Sequence, residues 1–151
     1  VSGDAVHEPG NFKVPFGMNQ AELIEAAGGY KVDPEKIISG GPMMGFSMFT
    51  VDVPVTKTSS SILCFTKDEV AQYEPTACIN CGRCVEVCPS RLIPSRLADY
   101  AEHHDEEAFT KHEGLECMEC GSCSYVCPAK RQLKQAIGSM RKTALANRKK
   151  K

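Results

Sequence analysis

Eight of the nine cysteines in this 151-residue chain fall into two runs with identical spacing. In each run, two residues separate the first cysteine from the second and two separate the second from the third. Three residues then separate the third cysteine from the fourth, and a proline follows the fourth. Cysteines at this spacing let several thiolates converge on one iron–sulfur cubane, and such clusters carry single electrons. The runs are Cys78, Cys81, Cys84, Cys88 with Pro89, and Cys117, Cys120, Cys123, Cys127 with Pro128.

The ligands of the two predicted [4Fe–4S] clusters are assigned crosswise, because the fourth cysteine of such a run ligates the cluster of the other run. Zinc is the competing metal for paired cysteines, but this spacing, given twice, fits cubanes far better. Disulfides are disfavoured because the cysteines are grouped and not scattered along the chain. The first cluster site comprises Cys78, Cys81, Cys84 and Cys127, and the second cluster site comprises Cys117, Cys120, Cys123 and Cys88.

Three further features of the sequence have simple structural interpretations. Gly82 and Gly121 stand between the second and third cysteines, where the missing Cβ lets backbone amides approach cluster sulfurs. Cys64 lies in an apolar stretch and is predicted to be a small buried hydrophobe. The glycine-rich segment 40–45 lacks a phosphate-binding pattern, so it is predicted to form a surface turn. No residue is assigned a catalytic role, and the histidines show no ligand spacing.

A boundary is expected near residue 75, where a glycine-rich and β-branched region gives way to the cysteine runs. The region 1–74 is predicted to be an α+β domain with one short helix. Asn19 caps that helix, and Gly28 with Gly29 ends it. Strands are expected at 1–6, 36–39, 51–55 and 61–66, separated by proline and glycine.

The region 75–142 is predicted to be mainly helical, with two short helices in the 28 residues between Cys88 and Cys117. Pro94 suits the first turn of one helix, and Asp105 begins the other, which is expected to stop at Gly114. A longer amphipathic helix follows the second run. Its apolar stripe, predicted to cover the core of this domain, consists of Leu133, Ile137, Met140 and Ala144.

Charge is unevenly distributed although the formal net charge is only −1. Residues 99–119 hold eight acidic side chains, whereas nine of the eighteen lysines and arginines follow Glu119, with no acidic residue among them. The last residues, 143–151, are interpreted as a basic tail, either simply solvated or in contact with an anionic surface. No nucleic-acid partner is predicted. No apolar run approaches the ~20 residues of a membrane-spanning helix.

The order of several segments resembles the C subunit of the Rnf complex, the membrane-bound ion-translocating ferredoxin:NAD oxidoreductase of bacteria. The twin cysteine runs alone are typical of many ferredoxin modules, but here they follow two further matching regions. Those regions are Val1-Ser2-Gly3-Asp4-Ala5-Val6 with Pro9-Gly10-Asn11-Phe12 and Val14-Pro15-Phe16-Gly17, and Gly40-Gly41-Pro42-Met43-Met44-Gly45.

The resemblance implies a small β-grasp domain of the soluble-ligand-binding type, followed by a helical dicluster ferredoxin domain. It also implies that this chain is the C-terminal part of a longer subunit, whose absent N-terminal domain binds FMN and NADH, and that this part alone does not turn over NADH. The clusters would pass electrons from that flavin to membrane subunits of the complex. The subunit would lie peripherally on the cytoplasmic face of the bacterial inner membrane, held there by its partners and aided by the basic tail.

Two alternatives stay open. One, in the same redox class, is an iron–sulfur cobalamin reductase-like subunit, which has a related layout. The other is a binding scaffold, in which the β-grasp domain holds a ligand or partner and the clusters merely stabilise the fold.

Overall fold

The computed structural model describes residues 1–149, and these divide into a unit at Val1–Gln72 and a second unit that begins at Tyr73. The division expected from the sequence, after residue 74, lies two residues further along the chain. No helix in this described part of the chain is long and apolar enough to cross a membrane.

The first unit contains a three-stranded antiparallel sheet with the order β2-β1-β3. Strand β1 is Lys36–Ser39, β2 is Phe46–Met48 and β3 is Ile62–Phe65. The glycine-rich segment 40–45 forms the turn between β1 and β2, as predicted, and Gly45 N donates a hydrogen bond to Gly41 O at 2.7 Å. In β3 the side chains of Ile62 and Cys64 are buried, so this strand presents one face to the core.

One helix, α1 (Gln20–Ala26), covers this core. The Asn19 side chain accepts a hydrogen bond from Ala21 N at 2.9 Å, which confirms the predicted cap. Leu23 and Ile24 pack with residues of β3 in the core, and Cys64 is fully buried there, as expected.

Two of the four strands expected within residues 1–72 are absent. Residues 1–6 form no strand ladder and pair only as single bridges at Ser2 and Val6, because the chain bends at Gly3, whose φ is +117°. Residues 51–55 are likewise irregular, with one bridge at Pro54, a residue that has no N–H for a strand ladder. The third strand of the sheet is instead Phe46–Met48, which the sequence pattern did not indicate.

The second unit is helical, as predicted. A one-turn helix follows the second cysteine of each run, two longer helices lie between the runs, and a long helix ends the described chain. They are α2 (Arg83–Glu86), α3 (Pro94–Glu102), α4 (Glu106–Lys111), α5 (Ser122–Tyr125) and α6 (Leu133–Arg148), with a 3-10 helix at Gly114–Glu116.

The core of this unit forms where α3, α4 and α6 meet around Phe109. The predicted stripe of α6 is buried in full, since Leu133, Ile137, Met140 and Ala144 are at most 6% exposed. Burial of Ala144 and a 2.7 Å hydrogen bond from Asn147 to Glu106 accompany the continuation of α6 to Arg148. Most of the expected tail, 143–151, is therefore helix, while residues 150 and 151 lie outside the described part.

Helix α4 ends before Gly114, the residue at which the sequence predicts its end. The helix ends at Lys111, and the left-handed residue after it is Glu113, not Gly114. Gly114 is required for a different reason: a Cβ there would lie 2.5 Å from the ring of Phe109. The glycine makes room for the largest side chain of the core.

Candidate iron–sulfur centres

The cysteines of the first cluster site line one cavity. Its wall contains Cys78, Cys81 and Cys84 from the first run and Cys127 from the second. Cys78 and Cys81 are exposed, whereas Cys84 and Cys127 are partly buried. Three thiols of one run and the last thiol of the other therefore face a common space, and none of the other cysteines, all of which lie in the described part of the chain, belongs to that wall.

The cysteines of the second cluster site also interact with one another. Burial raises the pKa of the Cys117 thiol, and the neighbouring Cys88 and Cys120 raise it further. Burial, with smaller contributions from the neighbouring Cys117 and Cys120, raises the pKa of Cys123 to about 11. Cys88, the last thiol of the first run, is thus close enough to act electrostatically on a thiol of the second run.

The backbone around the two runs repeats with a period of 39 residues. Between the first two cysteines, Asn80 and Glu119 both have left-handed φ angles of +54° and +55°. Gly82 and Gly121, at +76° and +83°, precede the one-turn helices α2 and α5. Glycine adopts such positive φ angles without steric cost, which accounts for Gly82 and Gly121. The predicted role of these glycines in approaching sulfur stays a prediction.

Backbone amides already approach two of the sulfurs. Leu92 N donates to Cys88 Sγ at 3.4 Å, and Glu119 N donates to Cys117 Sγ at 3.4 Å. Hydrogen bonds to ligand sulfur stabilise the thiolate that a metal requires. The Cys120 thiol donates to Ser122 Oγ at 3.5 Å, and its hydrogen bonds with the side chain and backbone of Ser122 lower the pKa of Cys120.

Charged side chains also stand beside the two sites. Arg131 lines the first cavity, and its Nη2 lies 2.8 Å from Asp99 Oδ1 and 2.9 Å from Glu102 Oε1. Near the second site, Glu119 Oε1 lies 3.3 Å from Arg141 Nη1. Sequence reasoning missed these ion pairs, because nothing in the spacing of the charges relates α3 to the segment after Cys127.

The donor chemistry suits [4Fe–4S] clusters. Each cubane takes four thiolates, one for each iron, and each site offers four thiols. A single zinc ion instead draws its sulfur ligands to ~2.3 Å. In residues 1–149, no group of three or more histidine, cysteine or carboxylate side chains is arranged to hold one metal ion.

Comparison with known families identifies both parts of the chain. Residues 77–131 match the family described as a 4Fe-4S dicluster domain, and residues 1–47 match the SLBB domain family. The first unit is therefore an SLBB-type β-grasp domain, and the second unit is a dicluster ferredoxin domain, which gives the α+β architecture expected from the sequence.

Curated relatives match most or nearly all of this chain within longer chains. The C subunit of the Na(+)-translocating ferredoxin:NAD(+) oxidoreductase complex of Acetobacterium woodii is 42% identical over 149 residues, 99% of this chain and 34% of the relative. The C subunit of the proton-translocating complex of Clostridium ljungdahlii is 47% identical over 98 residues, 65% of this chain and 21% of the relative. The C subunit of the ion-translocating oxidoreductase complex of Methanosarcina acetivorans is 44% identical over 98 residues, 65% of this chain and 22% of the relative. The chain thus spans about a third of the Acetobacterium relative, or less of the others, and it belongs to the family of Rnf complex C subunits, as a segment with their SLBB and dicluster domains.

Proposed function

We propose that this chain relays single electrons through two [4Fe–4S] clusters within the C subunit of an Rnf-type ion-translocating ferredoxin:NAD oxidoreductase. The observation that supports this most is the cavity in which three thiols of one cysteine run meet the last thiol of the other. Crossed ligation of this kind is a property of two-cluster ferredoxins and brings two clusters close together. The names of the relatives, which are subunits of ferredoxin:NAD oxidoreductases, support the same role.

The ligand assignment follows from this proposal. Cys78, Cys81, Cys84 and Cys127 would hold one cluster, and Cys117, Cys120, Cys123 and Cys88 the other. When bound, each cluster accepts and returns one electron without a proton. The chain itself keeps the thiols on short loops, donates backbone N–H groups to their sulfurs and covers the second site with apolar side chains of the core.

We propose that the chain is organised in three regions. Residues 1–74 form the SLBB-type region, residues 75–142 the dicluster region, and residues 143–151 a basic extension. The electrons are proposed to come from FMN and NADH bound by another domain of the full-length subunit and to leave to membrane subunits. The location proposed is peripheral, on the cytoplasmic face of the bacterial inner membrane.

Iron analysis and spectroscopy test the relay directly. Anaerobically reconstituted chain is expected to contain about eight iron and eight sulfide per polypeptide, and dithionite reduction is expected to give the EPR signal of two interacting reduced cubanes. Zinc without a paramagnetic signal would contradict the proposal. Clusters that are present but cannot be reduced reversibly would favour the scaffold, and capture of a corrinoid enzyme in place of membrane subunits would favour the cobalamin reductase.

Two further parts of the proposal have their own tests. The chain alone is expected to show no NADH oxidation with an artificial acceptor, because its proposed role begins after the flavin. For the basic extension, removal of residues 149–151 is expected to weaken binding to vesicles of anionic lipid at least tenfold, since each cation contributes roughly 1 kcal/mol near such a surface. Unchanged binding would show that the extension is only solvated. Truncation there leaves α6 complete, because the helix ends at Arg148.

A further inference from the structure

The two cluster sites share one backbone but have different neighbours. Three residues that contact or line the first site have counterparts 39 positions away, at the second site, with different charges. Where the first site has Asn80, Arg83 and Arg131, the second has Glu119, Ser122 and Leu92. The backbone repeat makes these pairs a matched comparison, because the change of side chain is not accompanied by a change of loop conformation.

At the first site the difference adds positive charge. Arg83 and Arg131 both line the cavity of its four cysteines. The side chain of Arg131 is only 11% exposed, whereas its partners Asp99 and Glu102 are 54% and 51% exposed. Water screens the two carboxylates more than the guanidinium, which also lies nearer the cavity, so the field at the cysteines is dominated by the arginine.

At the second site the difference adds negative charge. Glu119 N donates to Cys117 Sγ at 3.4 Å, which places this acidic residue directly beside a cysteine of the second site. Its partner Arg141 is the more exposed member of the pair, 31% against 24%, so water screens the guanidinium slightly more than the carboxylate. The position equivalent to Arg131 is Leu92, which is 6% exposed and carries no charge.

The cysteines of the first site are also more exposed to solvent than those of the second site. Two cysteines of the first site are exposed and two are partly buried, whereas in the second site three are partly buried and Cys123 is buried. Reduction adds one negative charge to a centre that is already anionic through its thiolates. Nearby positive charge and nearby water both stabilise that added charge, and both raise the reduction potential.

We propose that the first cluster site, which Arg131 lines, has the higher reduction potential of the two, and that Glu119 holds the second site lower. This inference rests on the proposed electron relay and specifies its direction within the chain. An electron that enters at the second site from a one-electron donor passes spontaneously to the first. One electron leaves one site, one arrives at the other, and no proton is transferred.

Redox titration of the reconstituted full chain, followed by EPR, tests this with three substitutions. Arg131→Met keeps the aliphatic stem but removes the charge, so it is expected to change the reduced-to-oxidised ratio of the higher-potential centre about tenfold towards oxidised, a shift of ~59 mV downwards. Arg131→Lys keeps the charge and is expected to restore most of that shift. Glu119→Gln is nearly isosteric and is expected to raise the lower potential while leaving the higher one in place.

Each result decides between charge and structure. If Arg131→Lys lowers the potential as much as Arg131→Met does, arginine acts through packing, and the proposal is overturned. It is also overturned if Arg131→Met shifts the lower-potential centre, or if Glu119→Gln shifts the higher one. Iron content near eight per chain verifies that each variant is loaded. Two reversible reductions with unshifted potentials would refute the inference and leave the relay standing, whereas loss of reversible reduction in the unaltered chain would refute the relay itself.

Discussion

Substitution of Gly3 by alanine tests how the N-terminal segment is attached to the sheet of the SLBB domain. Gly3 has φ of +117°, and a Cβ there would overlap the carbonyl oxygen of Cys64 and lie 2.7 Å from its carbon. The contacted atoms belong to the backbone of β3, which cannot move without disturbing its pairing with β1. On either side of this contact, Ser2 N donates to Ile62 O and Cys64 N donates to Ser2 O, both at 2.9 Å.

The expected loss of stability has two parts. Positive φ costs an alanine about 1–2 kcal/mol relative to glycine. Relief of the overlap requires the segment to move away from β3, which breaks the two hydrogen bonds of Ser2 at about 0.5–1.5 kcal/mol each. Together these give a loss of roughly 2–5 kcal/mol. Gly17 is the matched control, because its φ is +91° but a Cβ there would meet no atom within 4 Å. Gly17→Ala is therefore expected to lose only the free energy that positive φ costs an alanine, about 1–2 kcal/mol.

Hydrogen exchange measured by mass spectrometry on the full, cluster-loaded chain can resolve the two effects. Peptides that cover β3 report the free energy of opening of the first unit, while peptides from the helical unit serve as an internal reference. Gly3→Ala is expected to speed exchange in β3 far more than Gly17→Ala does, with iron content unchanged. A difference of less than about 1 kcal/mol between the two variants would refute the reasoning, because it would mean that the segment before Ala5 is not held against β3.

Two further predictions concern the cysteines and the pH dependence of the first unit. If ligation is crossed, the double variant Cys78→Ser with Cys127→Ser damages one cluster only and leaves roughly four iron atoms per chain. The double variant Cys78→Ser with Cys88→Ser damages both clusters and leaves less iron. A higher iron content in the second variant than in the first would contradict the assignment. Lys36 Nζ lies 2.7 Å from Asp68 Oδ1, and its hydrogen bond lowers the pKa of the Asp68 carboxyl. The pair therefore stabilises the fold fully above the ordinary carboxyl pKa of ~3.9. This stabilisation is lost as the pH falls through the lowered pKa of Asp68. Asp68→Asn should therefore cost about 1 kcal/mol at pH 7 and nothing near pH 2, measured by urea unfolding of the chain followed through NMR signals of β1; an equal loss at both pH values would show that the charge is irrelevant.

Local signals predicted those elements whose boundaries are set by neighbouring residues. Asn19 caps α1, Pro94 lies in the first turn of α3, and Asp105 accepts a hydrogen bond from Ala108 N at the start of α4. The stripe of α6 could also be predicted, because 3.6-residue spacing is a property of the segment itself. These predictions were confirmed since the physical cause lies within a few residues of each element.

The elements that sequence reasoning missed depend on distant partners. Phe46–Met48 is only three residues long and mostly exposed, and it becomes a strand because the turn after Ser39 returns it to the edge of β1. Residues 1–6 have the composition of a strand, but the approach of Gly3 to Cys64 bends them and limits the pairing to single bridges. Such close approaches join positions about sixty residues apart, and no periodicity in the sequence records them.

In the candidate site, too, the features that depend on neighbouring residues could be predicted, and those that depend on distant residues could not. Cysteine spacing is local, so the sequence alone predicts two sets of four thiols, and the thiols of the first set line one cavity. The electrostatic surroundings are not local, because the fold pairs Arg131 with carboxylates of α3 and places it in the wall of a cavity lined by both runs. The repeat keeps the backbone of the two runs, while Arg131 at the first site corresponds to Leu92 at the second and Asn80 corresponds to Glu119. The proposed difference in potential would then be encoded in the residues on which the two copies differ, separately from the cysteine spacing that predicts ligation.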